Sequence, residues 1–240
     1  MDGERIDDLM RSGRQIIQSK DEFCFSMDSV LLAHFPKFKR KYRVLDLGTG
    51  TGVIPLLIAD EVNHIDAIEL NSKIASIARR SVELNQLNDK ISVIEGDYRN
   101  IRNHFKAETF DLVVANPPYR AMGSGAVNDI KGVATARHEF TATLDDVVTA
   151  ARFVLKYHGV FCMVHICERL CEIVDTLHKH QFEMKRLQLI QPKFGRPANL
   201  MLIESIVGGA PGSLKIMPPL IVHNDDGSYT DEINAIYNEK

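Results

Sequence analysis

Residues 43–59, Arg-Val-Leu-Asp-Leu-Gly-Thr-Gly-Thr-Gly-Val-Ile-Pro-Leu-Leu-Ile-Ala, decide the architecture of this chain. The apolar run from Val44 to Leu47 suits a short buried strand, three glycines make a turn, and an apolar helical pattern starts at Val53. Glycine there lets backbone come close to a bound ligand and aims the N–H groups of the following helix at it. Outward from this unit, short apolar runs keep alternating with helical periodicity. Strands are expected near 43–48, 64–69, 91–95, 110–115, 158–165, 183–191 and 199–207, and helices near 28–36, 53–61, 72–86, 143–156 and 167–180. That alternation is the pattern of an α/β chain with a parallel sheet covered on both faces. Only Pro192 to Ala198 join the last two strands, too few residues for a parallel crossover, so an antiparallel hairpin is expected there. Asn71-Ser72 is a suitable cap for the helix that carries Ile74, Ile77 and Ala78 on one face.

The glycine spacing narrows the ligand. A dinucleotide fingerprint has Gly-x-Gly-x-x-Gly or Ala. Here Gly48, Gly50 and Gly52 are spaced Gly-x-Gly-x-Gly, and Val53 stands at the third dinucleotide position. The motif also begins with an acid, Asp46, which repels a pyrophosphate but suits the amino and sulfonium cations of S-adenosylmethionine. Glu69 closes the next expected strand, where a carboxylate can accept both ribose hydroxyl hydrogens. A methyl donor fits this set better than NAD.

A second stretch, Phe-Asp-Leu-Val-Val-Ala-Asn-Pro-Pro-Tyr at 110–119, ends an expected buried strand in a polar amide and an aromatic ring. Both prolines fix φ and lack an N–H, so the turn is stiff and presents acceptors. Asn116 Oδ1 and the Pro117 carbonyl are candidates to accept the two hydrogens of a planar amine, and Tyr119 offers a face on which a base or amide stacks. Taken alone, the tetrad also reads as an ordinary Pro-Pro turn. No histidine or carboxylate is evident beside it in the sequence.

Together, Asp-Leu-Gly-Thr-Gly-Thr-Gly and Asn-Pro-Pro-Tyr resemble the class I S-adenosylmethionine-dependent amino-methyltransferases. Three further segments, 23–35, Ala-Arg-His-Glu at 136–139, and 218–230, look like the bacterial tRNA1(Val) adenine-N(6) methyltransferase family. The resemblance runs over nearly the whole chain. It implies a doubly wound Rossmann-like sheet, mostly parallel with an antiparallel C-terminal hairpin, S-adenosylmethionine as cofactor, and a tRNA adenine 3′ of the anticodon as substrate. It also implies that Asp97, in Glu-Gly-Asp-Tyr, accepts from the cofactor's adenine amine with Tyr98 in contact, although Gly-Asp is equally a plain turn signal. Release-factor glutamine methyltransferases share Asn-Pro-Pro-Tyr but carry a helical recognition domain ahead of the glycine motif, whereas 45 residues precede Asp46 here. A non-catalytic nucleotide- or RNA-binding module would keep the sheet without needing Asn116.

At 240 residues, 45% hydrophobic and 25% charged, the chain is long enough for one substantial core. A single domain is expected, with 1–42 as an N-terminal extension or lid, 43–207 as the catalytic core and 208–240 as a C-terminal extension. No apolar run of about 18 residues and no leader pattern is seen, so the cytoplasm is the expected location and no membrane contact is expected. Cys24, Cys162, Cys167 and Cys171 include no Cys-x-x-Cys pair and are expected as buried free thiols, and no metal site is expected. The net charge of −3 is unevenly spread. Nine basic residues face seven acids in 1–44, densest from Lys37 to Arg43, and six face two in 179–215, whereas the tail from Ile216 is acidic. Both basic clusters are candidates for RNA phosphates, or are simply solvated faces. Lys193 and Arg196 on the hairpin, and Arg120 and Arg137 flanking the stretch after the tetrad, are the candidate substrate-binding cations. Arg137 has a structural alternative in pairing with Glu139 or Asp145.

Overall fold

The structure is a computed structural model, and it describes residues 3–10, 13–19, 26–119 and 142–238. In chain order the elements are β1 (Glu4–Asp8), β2 (Gln15–Ser19), α1 (Met27–His34), β3 (Arg43–Leu47), α2 (Val53–Ile58), β4 (His64–Glu69), α3 (Ser72–Leu84), β5 (Ile91–Glu95) and β6 (Phe110–Ala115). After these come α4 (Leu144–Val154), β7 (Leu155–Ile166), α5 (Leu170–Lys179), β8 (Phe182–Lys193), β9 (Leu200–Val207), β10 (Lys215–Ile216), β11 (Leu220–His223) and α6 (Asp231–Asn238).

The central sheet runs β5-β4-β3-β6-β7-β9-β8, and β10 and β11 both pair with the outer edge of β8. All pairings are parallel except those of β9, which is antiparallel to both β7 and β8. The expected hairpin is therefore present, with β9 inserted between its partner and β7.

Period-2 alternation sorts the strand side chains to two cores. Val44, Leu112, Val114, Cys162 and Val164 face α1, α2 and α6, while Leu45, Leu47, Val113, Ala115, Phe161 and Met163 face α4 and α5. Both faces are covered, as the near-continuous apolar strands require. Asn71 caps α3 as expected, its Oδ1 accepting from Lys73 N at 3.0 Å and Ile74 N at 3.3 Å.

An additional antiparallel pair, β1 with β2, lies within the expected N-terminal extension. It docks on α3: Arg80 donates to both Glu4 oxygens at 2.6 and 2.7 Å, Ile17 N to Ser81 Oγ, and Gln15 N to Asn85 Oδ1.

Parallel strands give the sheet two different ends. Leu47, Glu69, Glu95, Ala115, Ile166 and Lys193 finish at the carboxyl end. The basic run from Lys37 to Arg43 leads into the amino end of β3, where Asn63 N donates to the Arg40 carbonyl and Arg43 pairs with Asp66 at 2.9 Å. The densest run of the expected phosphate-binding charge thus sits on the pole opposite the two motifs.

Candidate active site at the carboxyl end of the sheet

Leu47 and Ala115 are paired residues on adjacent parallel strands, so the glycine turn and the Asn-Pro-Pro-Tyr tetrad leave the sheet side by side. This is the crevice outside the strand ends where open α/β sheets bind ligands. Gly48, Gly50 and Gly52 all have positive φ (73°, 58° and 90°), which a side chain at these positions would strain. A Cβ at Gly50 meets nothing within 4 Å, so the turn there borders open space.

Asp46 lies under that turn and is fully buried. Neither of its carboxylate oxygens, nor the buried Thr49 hydroxyl, has a hydrogen-bond partner among the described residues. Burial pushes the Asp46 carboxyl up to about 7; the nearby Thr49 offsets part of the shift and the charge of Glu69 adds to it. A buried acid left without partners is costly unless a cation or donor meets it. The ammonium and sulfonium of S-adenosylmethionine fit this donor-poor, acceptor-rich recess.

Glu69 ends β4 beside the same turn. Its Oε2 accepts from Gly50 N at 3.0 Å and its Oε1 from Asn71 N at 2.9 Å, so the carboxylate joins the glycine turn to the start of α3. Asp97 follows β5 and caps a short 3-10 helix, accepting from Arg99 N and Nε at 2.8 Å each. Burial works against its charge, but the Arg99 contacts outweigh this and hold the carboxyl below its ordinary value. The Tyr98 ring lies against the turn, its Cε1 3.7 Å from where a Gly48 Cβ would stand. Burial, with the nearby acids Asp146, Asp97 and Glu69, keeps its phenol protonated well above the ordinary range. Asp46, the glycines, Glu69, Asp97 and Tyr98 therefore share one end of three adjacent strands.

The tetrad has closer neighbours than the sequence suggested. Asn116 Nδ2 donates to Ser29 Oγ at 2.9 Å, and the Tyr119 hydroxyl is 2.5 Å from Asp28 Oδ2 and 3.1 Å from Asn116 Oδ1. The Tyr119 ring packs 5.2 Å from that of His165, at an interplanar angle of 54°. A carboxylate and a histidine that are not evident beside the tetrad in the sequence thus stand beside it in the fold. Asp28 and His165 arrive from α1 and β7, elements distant in sequence that the fold brings to the same end. His165 is buried; burial first, and then the charge of Arg169, lowers its pKa to about 4, so it is a neutral packing partner at physiological pH. Arg169 Nη1 donates to the Tyr119 carbonyl at 3.2 Å, fixing the far end of the tetrad. Pro117 is buried between these contacts.

The Lys193 to Asn199 turn lies at this same end, because β8 runs parallel to β6 and β7. Arg196 is exposed; Lys193 is partly buried and donates through Nζ to the Asp225 carbonyl at 3.2 Å. Arg120 and Arg137 lie outside the described residues, as do Phe23, Cys24 and Phe25. Of the expected buried thiols, Cys162 is buried, Cys167 is half-buried and Cys171 is exposed on α5. His180, just past the end of α5, lies 2.9 Å from Asp145. Among the described residues no helix is long and apolar enough to cross a membrane.

A glycine turn and an amide-bearing tetrad on neighbouring strand ends, in a sheet with one antiparallel strand near its edge, define a Rossmann-like methyltransferase. The chain belongs to the methyltransferase small domain family, whose model matches residues 19–184. It is 28% identical over 214 residues to a tRNA1(Val) (adenine(37)-N6)-methyltransferase of Photorhabdus laumondii, covering 87% of this chain and 84% of that protein. It is 27% identical over 180 residues to a protein of the same name from Bacteroides thetaiotaomicron, covering 73% of each. Among solved structures, a predicted O-methyltransferase from Agrobacterium tumefaciens superposes with a TM-score of 0.71 at 24% identity, over 88% of this chain and 96% of the other. A tRNA m1G37 methyltransferase from M. jannaschii shares the fold with a TM-score of 0.60 at 14% identity, over 87% of this chain and 55% of that one.

Proposed function

We propose that this protein transfers a methyl group from S-adenosylmethionine to the exocyclic amine of an adenine in tRNA, the adenosine 3′ of the anticodon of a valine tRNA being the favoured target. The observation that carries the reading is the pairing of Leu47 with Ala115, which sets Asn116 beside the turn above Asp46. The names of the relatives over most of the chain support the nucleobase and the RNA.

When bound, S-adenosylmethionine supplies an electrophilic methyl on a cationic sulfur. Asp46 meets the positive charge of the cofactor, Glu69 accepts from its ribose hydroxyls and Asp97 from its adenine amine. Asn116 Oδ1 and the Pro117 carbonyl accept the two hydrogens of the target amine. Holding those hydrogens out of the ring plane returns the nitrogen lone pair from the ring to the nitrogen and orients it for attack on the methyl group that the donor would supply. The bound donor would supply the methyl carbon and its sulfur would keep the electron pair of the broken bond, while the extra proton on the target nitrogen would leave to water past Asn116 and Pro117. The two acceptors stabilise the charge that develops on nitrogen, so no strong base is needed. An adenine inside a helix cannot reach the tetrad, so the substrate is an unpaired or flipped base. Arg196, Lys193, Arg120 and Arg137 are proposed contacts to the RNA, and the cytoplasm is the place where such a substrate is met.

The test is to incubate the protein with labelled methyl donor and, separately, with total tRNA, ribosomal RNA, DNA and release factor, and then to map the modified nucleoside by mass. Label on an adenine amine of tRNA is expected. Label confined to the other three, or on a guanine of tRNA, overturns the reading.

A further inference from the structure

Phe194 is 81% exposed, the most exposed of the large hydrophobic side chains among the described residues. Single exposed apolar side chains are ordinary on protein surfaces. The position of this one is not. It stands on the β8–β9 turn between Lys193 and Arg196, at the end of the sheet that carries Asn116. Three inter-strand steps separate β6 from β8, and at about 4.8 Å each they place the turn roughly 14 Å along the rim from the tetrad.

The turn is built to hold that ring out. Arg196 N donates to the Lys193 carbonyl at 3.1 Å and Gly195 takes φ 72°, which is the closure and left-handed third residue of a type II turn. Pro197 stiffens the exit. Beneath it, Lys193 pairs in register with His223 of β11, and its Nζ holds the Asp225 carbonyl. His223 in turn stacks on Tyr229 at 5.1 Å, and Tyr229 on Tyr237 at 5.7 Å, an aromatic ladder that fixes this corner of the sheet. Phe194 thus sits on a braced platform yet buries little of itself.

We infer that Phe194 is a stacking platform for an unpaired base of the RNA, flanking the base presented to Asn116, with Arg196 meeting the adjoining phosphate. The inference rests on the tRNA reading above and names the surface that holds the rest of the loop. An aromatic face beside a cation is the arrangement by which proteins bind unpaired nucleotides, whereas a duplex hides its base faces. Of the two flanking cations, Lys193 gives one of its three donors to the Asp225 carbonyl, and Asp225 and Asp226 offset charge on its side. Arg196 is exposed, and no described residue pairs with its side chain. The partner is therefore a loop or single strand rather than a helical stem.

Two labelled probes test this: an anticodon stem–loop RNA and a fully paired duplex of equal length, each titrated by fluorescence anisotropy into the wild-type protein, Phe194→Ala, Phe194→Tyr and Arg196→Gln. Stacking worth roughly 1–3 kcal/mol corresponds to a loss of roughly 5- to 150-fold in stem–loop affinity for Phe194→Ala, with Phe194→Tyr restoring it. S-adenosylmethionine affinity and melting temperature should match wild type in every variant. Arg196→Gln should reduce the salt dependence of stem–loop binding by about one phosphate contact. Equal stem–loop affinity for wild type and Phe194→Ala overturns the inference, as does an equal loss on the duplex. Failure of the wild-type protein to label tRNA rejects the substrate reading instead, and the anisotropy comparison still decides the role of Phe194.

Discussion

The Tyr119 hydroxyl lies 2.5 Å from Asp28 Oδ2 across a sequence separation of 91 residues. A phenol has one hydrogen, and a carboxylate acceptor makes the stronger bond. Burial and then this bond push the Tyr119 phenol far above its ordinary pKa, so the hydrogen stays on it. With that hydrogen committed to Asp28, Asn116 Oδ1 keeps its acceptor capacity for a substrate amine. Tyr119→Phe keeps the ring and its packing on His165 but loses the tie to α1. We expect its turnover to fall about 10-fold with RNA affinity near wild type, and Asp28→Asn combined with it to add little further loss. Additive losses in this double-mutant cycle, measured under single-turnover conditions, would show that the two residues act separately.

Asn116→Ala removes an acceptor that matters most as charge develops on the amine. Turnover is expected to drop on the order of 100-fold or more while cofactor affinity changes little. Quench-flow methylation and calorimetric titration of the same preparation separate the two quantities. A variant retaining full turnover contradicts the role given to Asn116.

Burial holds the Asp46 carboxyl up at about 7, so the folded chain without ligand favours its protonated form. For a carboxyl raised in the folded state, the stabilising contribution is complete below the unfolded value of about 4 and is lost as pH rises through about 7. The melting temperature of the ligand-free chain should therefore fall as pH rises from about 5 to 8, and Asp46→Asn should flatten that slope. A cation bound against Asp46 favours the ionised form. Affinity for S-adenosylmethionine should therefore rise with pH up to about 7, with proton release visible in buffers of different ionisation enthalpy. A pH-independent affinity across this range would remove Asp46 from contact with the charged part of the cofactor.

Glu69→Ala should weaken S-adenosylmethionine binding by roughly 1–3 kcal/mol, the loss of a charged hydrogen-bond acceptor. It should also lower stability, because Gly50 N and Asn71 N lose their partner. Glu69→Gln keeps one acceptor oxygen and should fall between the two. Titration calorimetry together with thermal unfolding measures both effects, and unchanged binding by Glu69→Ala would place the ribose elsewhere.

Much of the sheet was legible because its signals are local. Val44 to Leu47, the glycine turn and the Pro192 to Ala198 connection each carry their meaning within a few residues, and each forms as expected. The β1–β2 pair was not legible: Glu-Arg-Ile-Asp-Asp is charged and only weakly alternating, and it is held by Arg80 and Ser81 of a helix far along the chain. Asp28, Ser29 and His165 were missed for a related reason. Their chemistry arises only when α1 and β7 meet β6, and no spacing in the sequence records that meeting. A hint was available in the Ser-Met-Asp-Ser run at 26–29, which places two short polar side chains at the start of an otherwise apolar helix. The Lys37 to Arg43 cluster shows the converse, since charge density is plain in a sequence but the end of a parallel sheet to which it folds is not.

Glu69 is held between two backbone N–H groups that belong to different elements, one on each carboxylate oxygen. A carboxylate clamped in this way is not free to swing after a ligand, so any nucleoside must fit the position of the acid. An engineer seeking a donor with an altered ribose thus has no tolerant position at 69, because each substitution there also unties the glycine turn from α3. Room for a modified donor is better sought across the recess near Asp97, whose carboxylate caps a short 3-10 helix and leans on the partly exposed Arg99.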